Sequence, residues 1–487
     1  MIKLTDTNLL RTRAYIDGQW VGADSGKTFD VTNPATGNVI TAVPDMGVDE
    51  TRCAIDAASS AWPAWRSTTA GERAAILHRW HDLMVEHVDD LAVLMTSEQG
   101  KPVAEARGEI HYAAAFYQWY AEEAKRIYGD VIPSHARNVR NIVIKQPIGV
   151  VGMITPWNFP TAMMAKKASA AIAAGCPVVW KPASETPLSG LAMAELAHRA
   201  GVPAGVFNVV TSRRASVIGG ELTANPTVRK FSFTGSTEVG KILMRQCADT
   251  IKKVSLELGG NAPFLVFDDA DLDAAVAGAI ASKYRNAGQT CVCANRIFVQ
   301  EGVYEPFSEQ LAAAVQRLQV GPGLDEGVAI GPLINEAALE KVESIVADAR
   351  AKGASVLTGG KRHELGHSFY EATVLTNVTD EMACTRDEIF GPVAPISRFK
   401  TEEEAIARAN NTPYGLAAYF YTQDAGRIWR VAEALEYGMV GINTGMISTA
   451  VAPFGGVKQS GLGREGSKYG IEEYLEVKFM CLGGIEG

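Results

Sequence analysis

The sequence predicts an α/β protein of two lobes, a reading that rests on length, composition and periodicity. Its 487 residues, at roughly 150 residues per domain, make about three units, or two large ones sharing an element. Hydrophobic residues are 47% and charged residues 21%, the ordinary globular mixture, which excludes a disordered or fibrous chain. From Gly129 to about residue 260, short β-branched runs alternate with helical patterns of about 10 to 15 residues, as in parallel βαβ units. A second alternating stretch runs from about 260 to 440.

Taken in order, residues 48 to 127 are rich in Ala, Glu, Arg and Leu at helical spacing and predict a layer of about three long helices. Thr69-Ala-Gly-Glu72 fits a capping box that opens the second of them. The next strands are Val150–Ile154, Val178–Lys181, Val206–Val210, Lys230–Thr234 and Lys252–Glu257, with helices such as Ala162–Ala174 and Thr237–Cys247 between them. Five such strands suffice for a doubly wound sheet. The second lobe takes strands near Phe264–Phe267, Arg296–Gln300, Ala394–Arg398 and Ala417–Tyr421. Ile471 to Met480 alternates loosely, like a strand that pairs outside its own lobe.

Charge narrows the partners. Lysine plus arginine (46) against aspartate plus glutamate (55) leaves −9, with no basic block to neutralise a phosphate backbone, so nucleic acid is not expected. Two windows, Gln146 to Ala165 and Gly438 to Val457, lack charge over a bilayer-spanning length. Pro147, Pro156 and Pro160 interrupt the first, and Pro453 with five glycines the second, so neither reads as a membrane helix. The opening MIKLTDTNLLRTR has no apolar stretch of signal-peptide length, and a soluble cytoplasmic protein is the expectation. Seven sparse cysteines suggest reduced thiols rather than a disulfide framework.

In an open α/β sheet, ligands lie beyond the carboxyl ends of the strands. That rule selects Thr155-Pro-Trp-Asn158, Lys181-Pro-Ala-Ser184, Gly235-Ser236 and Glu257-Leu-Gly-Gly260. Phe233-Thr-Gly-Ser-Thr-Glu-Val-Gly240 places glycines where a strand turns into a helix, either to present N–H groups to a phosphate or simply to make a tight turn. Lys181 is a reader of a dinucleotide's ribose or phosphate, or a snorkelling strand end. Cys291, in Asn286-Ala-Gly-Gln-Thr-Cys-Val-Cys293, is presented by a glycine-containing loop; a nucleophilic thiol needs a depressed pKa and amide donors for an oxyanion. An inert packed thiol, half of a metal site and a disulfide with Cys293 stand as alternatives, and the metal is disfavoured because no second Cys or His cluster has zinc spacing. Glu257 closes an apolar strand, where its pKa should rise toward general-base range; a carboxylate accepting backbone hydrogen bonds at a turn is the other reading.

Together these motifs resemble the aldehyde dehydrogenase superfamily over essentially the whole chain. They are Pro156-Trp-Asn-Phe-Pro160, Lys181-Pro-Ala-Ser184, Phe233-Thr-Gly-Ser-Thr237, Leu256-Glu-Leu-Gly-Gly260, Gly288-Gln-Thr-Cys291, Glu388-Ile-Phe-Gly-Pro392 and Pro453-Phe-Gly-Gly-Val-Lys458. The stretches Asn286 to Arg296 and Gly463 to Gly470 resemble bacterial succinate-semialdehyde dehydrogenases in particular. The resemblance implies a Rossmann-like cofactor-binding lobe (1–127 and 147–258), an α/β catalytic lobe (259–470) and a small β oligomerisation element (128–146 and 471–487). A homodimer or homotetramer is then expected.

By the same resemblance Cys291 is the nucleophile, Asn158 and the Cys291 amide hold the oxyanion, and Glu257 activates the hydrolytic water. Thr155, Pro156, Trp157, Gly235, Ser236, Leu258, Glu388 and Phe390 belong to the cofactor cleft. Many relatives that use NAD carry glutamate where Ser184 stands. A carboxylate about 4 Å from a 2′-phosphate would repel it by roughly 4 kcal/mol at an effective dielectric near 20, so NADP is expected, read by Lys181 and Ser184, with NAD the second candidate. The resembled enzymes hold a distal carboxylate with two arginines and a serine; Arg285 and Ser448 match, and Lys166 replaces the other arginine. Lys166 is then a carboxylate reader or a solvated helix lysine, and its lack of a bidentate fork admits a glutarate or broader ω-carboxy aldehyde as well as succinate semialdehyde. Cys293 is a redox-switch candidate or a small buried hydrophobe. A cysteine acyl-transfer hydrolase and a non-catalytic cofactor-binding protein are the readings from other classes.

Overall fold

In the computed structural model, which describes residues 2–485, the first sheet is built on five parallel strands. They are Val150–Ile154, Val178–Lys181, Phe207–Val209, Val228–Thr234 and Lys253–Glu257, and across the sheet they run third, second, first, fourth, fifth. Chain order therefore reverses between Val150–Ile154 and Val228–Thr234, where Ile154 lies beside Phe233. Loops leaving those two strands diverge, which opens a crevice at their carboxyl ends. All five residues of Val150–Ile154 are buried, the mark of a strand covered on both faces. Each expected strand is present within two residues of its expected ends. The sheet also has antiparallel edges that were not expected: Ala14–Ile16 with Gln19–Val21 on one side and Gly461–Leu462 on the other. The last pair comes from the stretch read as catalytic, so that stretch returns a strand to the first sheet.

The N-terminal layer holds four helices rather than about three: Val48–Trp65, Ala70–Glu86, Val88–Gln99 and Val103–Glu123. His87 ends one helix and starts the next with no Gly or Pro to mark the break, so the sequence pattern runs through it. The capping box forms as read: Thr69 Oγ1 accepts from the Glu72 N–H at 3.2 Å and Glu72 Oε2 from the Thr69 N–H at 2.7 Å.

The four strands expected in the second lobe, observed as Ala262–Val266, Ala294–Gln300, Val393–Phe399 and Ala417–Tyr421, make the centre of a seven-stranded sheet. Thr373–Thr376 and Met439–Ile442 extend it in parallel, and Ser355–Thr358 closes one edge antiparallel. A third, three-stranded antiparallel sheet joins Asp130–Ile132, Arg140–Pro147 and Leu475–Leu482. The strand expected from Ile471 begins only at Leu475, because Ser467–Glu472 is a short helix; its buried residues are Ser467, Gly470 and Ile471, which is helical spacing. Residues 486 and 487 of the expected oligomerisation segment lie outside the described residues. Among the described residues no helix is long and apolar enough to cross a membrane.

Candidate active site

The crevice at the strand-order reversal is a cavity of about 270 Å³. Pro156, Trp157 and Asn158 enter it from the loop after Val150–Ile154, and Gly235 and Ser236 from the loop after Val228–Thr234. Leu258 follows Lys253–Glu257, while Cys291, Glu388 and Phe390 come from the second lobe. These nine expected residues therefore meet at one place although 234 positions separate the first from the last. Thr234 and Gly259, which lie within motifs selected from the sequence, also line the cavity, as do Ala338 and Lys341, which were not singled out.

Cys291 sits on a strained loop. Asn286 (φ 51°), Ala287 (φ 54°) and Gly288 (φ 74°) are three successive left-handed residues, a conformation costly for the two that carry a Cβ. Other groups hold it in place. The Asn286 N–H donates to Glu105 Oε2 (2.8 Å), its Oδ1 accepts from Gln99 Nε2 (3.0 Å), and its Nδ2 donates to the Asn158 carbonyl (2.9 Å). A Cβ on Gly288 would lie 2.1 Å from the Gly391 carbonyl, and one on Gly260 2.6 Å from the Cys291 carbonyl, so both glycines are required by close approach. Burial, then Glu388, push the thiol up to about 12, while Lys166 pulls the other way. The shift is upward because burial comes first among its causes and the first charged neighbour is a carboxylate.

Asn158 faces the thiol loop and is itself supported. Its Nδ2 donates to the Gln289 carbonyl at 3.0 Å and its Oδ1 accepts from the Phe159 N–H at 3.1 Å, leaving one amide hydrogen for another acceptor. Its carbonyl accepts from Lys101 Nζ at 2.7 Å, and Lys101 pairs with Glu109 at 2.6 Å with both side chains fully buried. The other Glu109 oxygen accepts from the N–H groups of Thr161 and Ala162 at the start of the helix Pro160–Ala174, a favourable place for a carboxylate. Neither Lys101 nor Glu109 was identified from sequence; the signal available was a charged residue between Gly100, in the left-handed region at φ 97°, and Pro102.

Glu257 is buried but does not line the cavity itself. Burial, then the neighbouring Glu465, raise its carboxyl well above the ordinary range, while Lys167, Lys166 and Arg464 pull the other way. The rise expected from an apolar strand end is therefore present, with a second carboxylate adding to it. Glu257 Oε2 and Glu465 Oε2 are both buried without a hydrogen-bond partner, and Lys167 bonds the other Glu465 oxygen. Lys166 is buried, which removes the solvated reading. Its Nζ lies 3.9 Å from Glu465 and 3.3 Å from the Phe454 ring centre, with no hydrogen-bond acceptor. Arg285 is half-buried with its guanidinium 5.2 Å from the Phe159 ring centre and its buried Nε unpartnered. Ser448 lies half-buried on the loop leading to Phe454.

The opposite wall suits a dinucleotide. Trp157 and Phe390 meet edge to face, ring centres 5.7 Å apart and planes at 88°. Glu388 Oε1 accepts from the Gly260 N–H at 3.2 Å, and burial pushes this carboxyl up to about 7; the Glu388 carbonyl is tied to Lys341 Nζ at 2.7 Å. Ser236 caps the helix Thr237–Ala248, whose free N–H groups and positive end favour a phosphate. Rings for a flat base, a carboxylate for ribose hydroxyls and a helix start for phosphates form a donor set that fits such a cofactor. Three further expected cofactor residues lie away from this cavity. Thr155 Oγ1 accepts from Trp180 Nε1 at 3.0 Å. Lys181 Nζ donates to the Pro182 carbonyl at 2.9 Å, and burial brings this ammonium down to about 8. Ser184 lines a separate cavity of about 170 Å³ and lies 3.1 Å from Glu185 Oε2. Cys293 is buried, its Sγ 3.4 Å from the Gly288 carbonyl and 3.8 Å from Lys283 Nζ.

Comparison with known proteins agrees with this geometry. The profile described as "Aldehyde dehydrogenase family" matches residues 20–480. The chain is 65% identical to the succinate-semialdehyde dehydrogenase [NADP(+)] of Escherichia coli, over 99% of this chain and all of that protein. It is 64% identical to a glutarate-semialdehyde dehydrogenase of Pseudomonas aeruginosa at the same coverage. The crystal structure of succinate-semialdehyde dehydrogenase from Burkholderia pseudomallei superposes with a TM-score of 0.98 at 62% identity, covering 99% of this chain and all of that one.

Proposed function

The chain belongs to the aldehyde dehydrogenase family, and from that premise we propose that it oxidises succinate semialdehyde to succinate with NADP as the preferred acceptor. The observation that carries the substrate reading is a pair of cationic side chains, Lys166 and Arg285, each with a buried N–H donor lacking an acceptor. Unpaired donors of this kind are costly to bury unless a ligand satisfies them. A carboxylate at the far end of the aldehyde would do so, with Ser448 adding a hydroxyl.

The cavity and its hydrogen bonds support the following roles. Cys291 attacks the aldehyde carbon; the new oxyanion takes the free Asn158 amide hydrogen and the Cys291 N–H, which has no acceptor among the described residues. Trp157, Phe390 and Glu388 would hold a nicotinamide, which when bound would supply the hydride acceptor. Pro156, Gly235, Ser236 and Leu258 would hold the rest of the dinucleotide, with Thr155 supporting the loop and Lys181 and Ser184 toward the adenosine end. Glu257 then takes a proton from the water that attacks the thioester, and the product leaves as a carboxylate. Glu465, whose Oε2 is buried without a partner, offers the proton an onward place.

A longer semialdehyde, glutarate semialdehyde, is the second reading. It is favoured by Lys166, whose single charge on a flexible stem fixes ligand length less strictly than a guanidinium fork. We assign 1–127 and 147–258 to cofactor binding, 259–470 to catalysis and 128–146 with 471–487 to assembly into a cytoplasmic dimer or tetramer. The exposed Val477, Phe479 and Leu482 support the last. Cys293 is a candidate to join Cys291 in a disulfide on two-electron oxidation by a peroxide; retained peroxide sensitivity in Cys293→Ala rejects that. Aldehydes of increasing length, with and without a terminal carboxylate, assayed with each dinucleotide, test the main reading. The highest kcat/KM should fall to succinate semialdehyde with NADP, and a preference for uncharged aldehydes rejects it.

A further inference from the structure

The cavity of about 170 Å³ that Ser184 lines lies at the carboxyl ends of two neighbouring parallel strands. Ser184 and Glu185 come from the loop after Val178–Lys181, and Arg213 from the loop after Phe207–Val209. Arg213 combines a fixed backbone with an uncommitted side chain. Its N–H donates to Asp45 Oδ1 at 3.0 Å, and the same oxygen is 2.9 Å from Ser212 Oγ, so the loop is tied down on both sides. Next to it, Arg214 lies 3.7 Å from Asp45 Oδ2. The Arg213 guanidinium, by contrast, has no carboxylate or hydrogen-bond partner among the described residues, and the residue is exposed.

The remaining charged walls of this cavity are acidic. Asp30 is exposed at its edge, Glu185 is engaged by the Ser184 hydroxyl, and Glu98 accepts from the N–H groups of Leu188 and Ser189 at the start of the helix Pro187–Ala200. A doubly charged anion entering here would meet like charge from Asp30 and Glu185, and among the described residues Arg213 is the one cation on the cavity wall to offset it. Lys181 is buried behind the loop with its ammonium on the Pro182 carbonyl.

Resting on the reading of NADP as cofactor, we infer that Arg213 is the specificity-determining residue that admits the ribose 2′-phosphate, its guanidinium pairing the phosphate oxygens while the Ser184 hydroxyl turns from Glu185 Oε2 to donate its one hydrogen to the phosphate. A guanidinium matches phosphate with two parallel N–H bonds, and an arginine near the end of a dinucleotide-binding strand is a known physical solution for a 2′-phosphate. A ribose with free hydroxyls leaves the same side chain in water at no cost. Arg213 therefore acts on selection between dinucleotides and not on the chemistry at Cys291.

Calorimetric titration of the cofactor-free protein separates these effects from turnover. The probes are 2′,5′-ADP against 5′-ADP, and NADP against NAD, with wild type, Arg213→Ala and Arg213→Lys. Arg213→Ala should weaken 2′,5′-ADP and NADP about 30-fold or more and change 5′-ADP and NAD by no more than about twofold. Arg213→Lys should recover part of the loss, since it restores charge without the fork. Wild-type affinity for 2′,5′-ADP should fall with added salt more steeply than that of Arg213→Ala. Unchanged 2′,5′-ADP binding in Arg213→Ala, or an equal loss for 5′-ADP, overturns the assignment while leaving NADP preference intact. A wild-type protein that binds 5′-ADP as tightly as 2′,5′-ADP overturns the NADP reading itself, and the inference with it.

Discussion

The sulfur end and the adenosine end of the crevice use the carboxyl edge of the same sheet, yet they treat charge in opposite ways. Around Cys291 the ionisable groups are buried and answer one another: Lys101 with Glu109, Lys167 with Glu465, Glu257 beside both Glu465 and Lys166. Around Ser184, Arg213 and Asp30 stand in solvent and Glu185 is half-buried. Charges in the dry region act at low dielectric and cannot be removed singly without leaving a partner stranded; those in the wet region are screened and can be exchanged with little effect on folding. Substitutions at the first place should therefore damage rate or stability, and at the second should move only selectivity.

The largest test of that contrast is Cys291→Ala. Turnover should fall about 10⁵-fold or more with dinucleotide binding retained in a titration; residual activity within tenfold of wild type would remove the nucleophile from the scheme. Lys101→Met comes next. It strands Glu109 in the interior and should cost about 3 to 5 kcal/mol, read as a lowered denaturation midpoint, whereas a midpoint shift near zero would show that the pair is not held at low dielectric. Asn158→Ala removes one oxyanion donor and should lower kcat about a hundredfold, roughly 3 kcal/mol, with a much smaller change in KM.

The pH profile sharpens the comparison further. Cys291 and Glu257 must both lose a proton to act, and both are raised above their ordinary values by burial. The deprotonated fractions grow as pH rises, so kcat/KM should climb with pH. A profile flat from about pH 6 to pH 9 would contradict this. The smallest effect is expected at the substrate's far end: Arg285→Ala should raise KM for succinate semialdehyde about tenfold and leave an uncharged aldehyde nearly unaffected, and equal changes in both would reject carboxylate recognition.

The sequence pattern carried the parallel strands and the residues at their ends well, because apolar runs followed by glycine or polar turns are local signals. Pro156 to Asn158, Gly235, Ser236 and Leu258 were all visible in that way, and Cys291 through its glycine-containing loop. What escaped notice was either edge structure or distant partnership. Ser355–Thr358 and the short Gly461–Leu462 carry too few residues for alternation to register. Lys101, Glu109, Lys167 and Glu465 looked like ordinary helix or loop charges; only the fold, which brings 167 and 465 together, shows them buried. The state of the Cys291 thiol was not legible for the same reason: its shift upward comes from burial and from Glu388, nearly a hundred positions away.

The tether at Asn286 has a consequence for the thiol loop. Glu105 and Gln99 from the helical layer, and the Asn158 carbonyl from the first lobe, all grip this one residue of the second lobe, so the halves are riveted where the thiol sits. Parting the lobes at this point would break all three bonds together, so the loop that carries the sulfur keeps its position only while both halves stay joined.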